Sequence, residues 1–156
     1  MNNSTIKIID EAIELELNMS KLYGFFSEYI EHDRSFWYRL GIEEKNHAAL
    51  LKTAKDFISF ARFPQGLMPE DLQMLQESNS KVLETINRFL ENPDRELAFK
   101  MALELEKSAG EIHFQRFMDK RSRDNISDIF QKLNQADKDH AERISMYMKE
   151  CGLSGE

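Results

Sequence analysis

Glu44 and His47 stand three residues apart in a stretch with no helix breaker, and so do Asp137 and His140. On a helix, residues at that spacing share a face, and a carboxylate and an imidazole on one face can hold a single metal ion. Two further segments, Ala12-Ile13-Glu14-Leu15-Glu16 and Ala102-Leu103-Glu104-Leu105-Glu106, resemble one another and lie ahead of each pair. The chemistry these residues suggest is a dinuclear metal site.

Such a site needs helices to position it. The three prolines, Pro64, Pro69 and Pro93, all fall in the middle third of the chain. The outer thirds lack strong breakers and show no strand-like alternation, so the chain reads as all-α. The periodicity predicts one domain over residues 1–156, with helices over about 4–31, 35–61, 93–120 and 125–150. A helical crossover over about 64–92, broken near Ser78-Asn79-Ser80, joins two antiparallel hairpins into a four-helix bundle. Ser4 or Asn3 is the expected cap of the first helix, and Asp33 or Ser35 of the second. Asn92-Pro93-Asp94 is expected to end the crossover and cap the next helix, and Gly152 to stop the last.

Facing selects among the acids. The first inward stripe is Ile9, Ile13, Glu16, Ser20, Tyr23 and Ile30, which leaves Glu14 outside. The second is Trp37, Leu40, Glu44, His47, Leu51, Ala54 and Ile58, with Glu43 outside beside Arg39, Asn46 and Leu50. The crossover is amphipathic through Leu72, Leu75, Val82, Leu83, Ile86, Phe89 and Leu90. The third core stripe is Ala98, Ala102, Leu105, Glu106, Ala109 and His113. The fourth is Ile126, Phe130, Leu133, Asp137, His140, Ile144 and Tyr147.

Beside Ser20 and His113, six inward residues stand out as candidate ligands: Glu16, Glu44, His47, Glu106, Asp137 and His140. A carboxylate aimed into an apolar core is costly unless it is paired or bound to a cation. Glu16 and the Glu44/His47 pair stand about equally far from the first turn, on the order of 20 Å along each helix at ~1.5 Å per residue. Glu106 and the Asp137/His140 pair stand in a similar relation to the turn near Arg121-Ser122-Arg123-Asp124-Asn125. Both hairpins therefore deliver their ligands at one height. The alternative is a set of buried salt bridges or helix-surface ion pairs.

With these residues in place the chain resembles the rubrerythrin branch of the ferritin-like di-iron carboxylate proteins. The segment from Ala12 to Tyr23, with a glutamate seven residues before a tyrosine, is similar to that family's first helix. Glu44 with His47, Glu106, and Asp137 with His140 match its motifs on the other three helices. The resemblance implies a ferritin-like bundle holding two iron ions, with manganese or zinc as alternatives. It implies an oxidoreductase acting on hydrogen peroxide or oxygen. Three departures bear on this. Asp137 stands where the family has glutamate, Ala109 replaces a second glutamate three residues after Glu106, and no Cys-x-x-Cys pair supplies a rubredoxin-like domain. Electrons are thus expected from a separate donor protein.

Around the six, Tyr23 is either a hydrogen-bond donor to a ligand carboxylate or a core aromatic. His113 is either a supplementary ligand or a core histidine. Gly41 and Gly110 either leave room for a small oxidant or allow close helix packing.

Composition narrows the function classes. A 156-residue chain with 41% hydrophobic and 31% charged residues fits a globular domain. Its net charge of −7 argues against nucleic-acid binding, which needs a basic surface. One cysteine, Cys151, and no leader-like or membrane-spanning run lead to a cytoplasmic expectation. Apolar Leu67, Met68, Met74 and Leu75 in the crossover suggest a homodimer. The competing functions are a ferroxidase or iron-handling protein, and a non-catalytic metal-binding bundle.

Overall fold

The computed structural model describes residues 3–60, 72–113 and 125–153. Among the described residues the chain is all-helical and contains no strand. Helix α1 spans Asn3–Tyr29, α2 Arg34–Phe60, α3 Leu72–Glu91, α4 Arg95–His113 and α5 Asn125–Glu150, with a 3₁₀ turn at Glu31–Asp33. No described helix is long and apolar enough to cross a membrane.

Helices α1 and α2 pack along their length in opposite directions. Asp10 meets Lys55, Glu16 meets His47, the Ser20 hydroxyl meets the Gly41 carbonyl, and the Ser27 hydroxyl meets the Arg34 carbonyl. As one residue number rises the other falls, as an antiparallel pair requires. A Cβ on Gly41 would touch the Ser20 carbonyl oxygen at 3.4 Å and the Tyr23 Cβ at 3.5 Å. That glycine therefore serves close helix packing, with no space there beyond a methyl group. Helix α2 runs antiparallel to α5 by the same test, since Phe36 stacks on Tyr147 while Glu43 meets His140.

Local chemistry explains the helix ends. Pro93 disfavours helical backbone at Asn92, and the Asp94 carboxylate then accepts the Leu97 N–H at 2.7 Å to cap α4. At the end of α5, Gly152 adopts φ +67°, which L-residues avoid. There the Gly152 N–H bonds the Lys149 carbonyl and the Leu153 N–H bonds the Met148 carbonyl, a Schellman stop.

Four expectations are corrected. Asp33 does not serve as a helix cap. Its buried carboxylate faces Arg95, which donates from Nε at 2.6 Å and from a terminal nitrogen at 2.9 Å, and the Tyr147 hydroxyl, which donates at 3.0 Å. Helix α3 is continuous through Ser78-Asn79-Ser80, because Asn79 is buried and fully engaged. It donates to the Glu11 carbonyl and carboxylate and accepts from Asn18, tying α3 to α1. Leu83, expected inward, is 42% exposed. Leu75, counted toward a homodimer face, is fully buried in its own chain, whereas Met74 is exposed.

Residues 64–71, including Leu67 and Met68, and the turn at 121–124 lie outside the described residues. So do the side chains of Ile58, Ala109, His113, Ile126, Phe130, Leu133 and Asp137, as well as Gly110. The remaining stripe residues are buried, except that Leu72, Leu90 and Tyr147 are only half-buried. Near the first turn Tyr23, Phe26, Trp37, Phe89 and Phe99 are fully buried and pack ring against ring.

Candidate metal centre

Four helices each bring an ionisable side chain to one buried point. Glu16 comes from α1, Glu44 and His47 from α2, Glu106 from α4 and His140 from α5, and none is more than 7% exposed. Facing separates them from their neighbours: Glu14 lies in solvent, and Glu104 is exposed and pairs with Lys81 at 2.8 Å.

Glu44 is the centre of the group. Its Oε2 lies 3.0 Å from His47 Nδ1 and its Oε1 lies 3.0 Å from His140 Nδ1. Glu16 Oε2 approaches His47 Nδ1 at 3.4 Å, and Glu106 Oε1 approaches His140 Nδ1 at 3.6 Å. The two imidazoles lie nearly parallel with ring centres 5.3 Å apart. Each histidine thus turns its Nδ1 to Glu44 and to one outer glutamate. Ligand atoms of Glu44, His47 and His140 all lie within 4.8 Å of one another, close enough to hold one metal ion.

Without a metal, protons hold this cluster together. Burial favours the neutral form of Glu44, but His140 and His47 outweigh it and keep the carboxyl well below the usual range. Burial pulls the other way on His47, where Glu16 and Glu44 prevail and push it up to about 10. For His140, Glu106 and Glu44 overcome burial and push it up to about 12. Yet His140 Nδ1, fully enclosed, makes no aligned hydrogen bond. Of its nearest carboxylate oxygens, Glu44 Oε1 at 3.0 Å makes no aligned bond and Glu106 Oε1 at 3.6 Å lies beyond hydrogen-bond reach. A buried nitrogen surrounded by acid oxygens with no bond of its own has the environment of a metal ligand.

Two supporting residues complete the site. Tyr23 is fully buried and donates its phenol O–H to Glu106 Oε1, so it is at once a core aromatic and a hydrogen-bond donor to the cluster. Glu43 corrects the sequence reading, which placed it on an outer face. It is half-buried against α5 and meets His140 Nε2 at 2.9 Å, while Arg143 grips both its oxygens at 2.6 and 3.2 Å. With its Nε2 proton held toward Glu43, the ring would give up the Nδ1 proton to a bound metal and offer that nitrogen to the cluster. Arg143 and His140 together outweigh the effect of burial and lower the Glu43 pKa, so it stays a carboxylate. The sequence carried a signal for this contact in Arg143, three residues beyond His140 on the same face.

No protein-family model matches this chain, and neither does a characterised protein or a solved structure.

The donors themselves therefore carry the chemical argument. Three buried carboxylates and two imidazoles make an oxygen- and nitrogen-rich set suited to iron or manganese, and also acceptable to zinc. Asp137 lies in α5, three residues ahead of His140, but its side chain falls outside the described residues.

Proposed function

We propose that the chain is a rubrerythrin-like member of the ferritin-like di-iron proteins, an oxidoreductase that reduces hydrogen peroxide or oxygen with electrons from a separate donor protein. In this reading α1, α2, α4 and α5 form the four-helix bundle and α3 is the crossover. Glu16, Glu44, His47, Glu106 and His140 would hold the metal, with His47 and Glu16 on one side of Glu44 and His140 and Glu106 on the other. Asp137 is the sixth ligand on sequence grounds. The observation that carries the proposal is Glu44 with one oxygen on each Nδ1, inside a cluster drawn from four helices.

The protein's own residues do the following. Glu43, clamped by Arg143, fixes the His140 ring and the nitrogen it offers. Tyr23 fixes one oxygen of Glu106 and keeps a proton beside it. The surrounding apolar side chains exclude bulk water, which strengthens the electrostatics inside. Two bound iron ions would supply the paired electrons that reduction of peroxide consumes.

Elemental analysis after anaerobic reconstitution tests the site, with about two metal equivalents per chain expected from the ligand set. The double variant His47→Ala, His140→Ala is expected to lose them. Fe(II)-loaded protein mixed anaerobically with peroxide is then expected to oxidise rapidly. Metal uptake with no redox response would replace the oxidoreductase by a non-catalytic metal-binding bundle. Oxidation by oxygen with turnover of added Fe(II) would favour a ferroxidase.

A further inference from the structure

Packing accounts for the burial of the aromatic rings near the first turn, but not for how their polar ends are paired. Of four tyrosines, Tyr29 and Tyr38 stand on the surface. The other two, Tyr23 and Tyr147, each donate a phenol O–H to a carboxylate, Glu106 and Asp33 respectively. The single tryptophan lies between them. Trp37 stacks on Tyr23 with ring centres 5.6 Å apart and planes at 23°. It reaches Tyr147 through one intervening ring, either Phe36 or Phe99. Trp37 is 5.0 Å from Phe36 and 4.5 Å from Phe99, and these lie 4.2 and 5.6 Å from Tyr147. Tyr147 is half-buried, and the half-buried Cys151 thiol lies beside it and Arg95.

We propose that Tyr23, Trp37 and Tyr147 form a relay that carries single electrons from the surface near the end of α5 to the carboxylate–imidazole cluster. The proposal rests on the metal-centre reading for its destination. Electron tunnelling weakens steeply with distance, so a long path works only when it is divided into short hops between easily oxidised groups. Phenols and indoles are the easily oxidised rings of proteins, and here they alternate. A phenol gives up an electron readily only if its proton can leave at the same moment. Both tyrosines already have a carboxylate in place to receive it. Among the described residues the Trp37 N–H has no acceptor, so none of them takes its proton when the ring is oxidised, and an electron alone restores it.

The electrons and protons balance. With an oxidised transition-metal ion bound at the site as the electron acceptor, Tyr23 would give it one electron and give its own proton to Glu106, leaving a neutral phenoxyl radical. Trp37 refills Tyr23, which takes its proton back from Glu106, and Trp37 becomes a radical cation. Tyr147 then reduces Trp37 and gives its proton to Asp33. A one-electron carrier at the surface reduces Tyr147, which recovers that proton. One electron has moved from carrier to site, and every ring is restored.

The test uses metal-free protein. A ruthenium polypyridyl photosensitiser is attached to Cys151, the single cysteine, and oxidised by a laser flash with an external quencher. The expected result is the transient absorption of an indole radical. It should form at least an order of magnitude faster than with the same label at Lys52→Cys in a Cys151→Ser background. Trp37→Phe should abolish the indole signal. Tyr147→Phe, at a half-buried position and checked by circular dichroism, should slow its formation. Equal rates from both label positions, or an unchanged rate in Tyr147→Phe, would overturn the relay. Because no metal is present, that failure leaves the metal-centre reading standing, and a failure to bind metal leaves the flash result standing.

Discussion

At the scale of single residues, the adjoining pair Glu43 and Glu44 shows how far facing can be read. Periodicity placed Glu44 inward, where it is 2% exposed. It missed Glu43 because that residue faces α5, and a stripe drawn on one helix does not show which neighbour covers its flank. Glu43→Gln keeps the shape but loses the charge that holds His140 and Arg143. Partners of this kind are typically worth about 10–100-fold in metal affinity. A fall of that size is expected in chelator competition, with unchanged helical content by circular dichroism. The histidines set the pH dependence. With His47 raised to about 10 and His140 to about 12, the metal-free protein holds both imidazolium protons at neutral pH. The stability they give the metal-free fold is fully present below the unfolded histidine pKa, about 6.5. It is lost as pH rises through the raised values. Metal binding must displace those protons. Proton release on metal addition, read with an indicator dye in weak buffer, is therefore expected, and apparent affinity should rise with pH.

At the scale of elements, punctuation was legible and continuity was not. Asn92-Pro93-Asp94 and Gly152 act locally, so the stops they make could be named from sequence and appear in the backbone. The continuity of α3 depends on Glu11 and Asn18 of α1, which satisfy Asn79 from a distance of over sixty positions in the chain. Ser78-Asn79-Ser80 reads as a break only while that partner helix is unknown. In the same way Asp33 looked like a cap, the commonest use of an aspartate at a helix start, until Arg95 and Tyr147 claimed it. The cap that does form gives a direct test. Asp94→Ala removes the acceptor for the Leu97 N–H and is expected to cost about 1 kcal/mol in denaturant unfolding. The loss should appear without a change in metal content, because the site lies about three turns further along α4.

At the scale of the whole molecule, Asp33 joins three parts of the chain that only the tertiary fold brings together. It sits in the first turn, Arg95 opens α4, and Tyr147 lies near the end of α5. The all-helical class was legible from breakers and periodicity. This link was not, because it depends on how α4 and α5 dock on the first turn. Its energetics follow from burial. Asp33 is enclosed while the Arg95 side chain is 31% exposed. Removing the charge should therefore cost on the order of 2 kcal/mol, below the roughly 3–5 kcal/mol of breaking a fully buried pair. Burial alone would raise the Asp33 pKa, but hydrogen bonds from Arg95 and Tyr147 and the Arg95 charge outweigh it and lower the value. A lowered folded-state pKa contributes stability that is present above the unfolded value, about 3.9, and is lost as pH falls through the folded value. Asp33→Asn should accordingly be less stable than the parent by a constant amount between about pH 5 and 7, and the gap should narrow below about pH 4. Thermal unfolding of both proteins across that range measures it. A gap that stays constant down to about pH 2 would show that Asp33 carries no charge-dependent link between the first turn, α4 and α5.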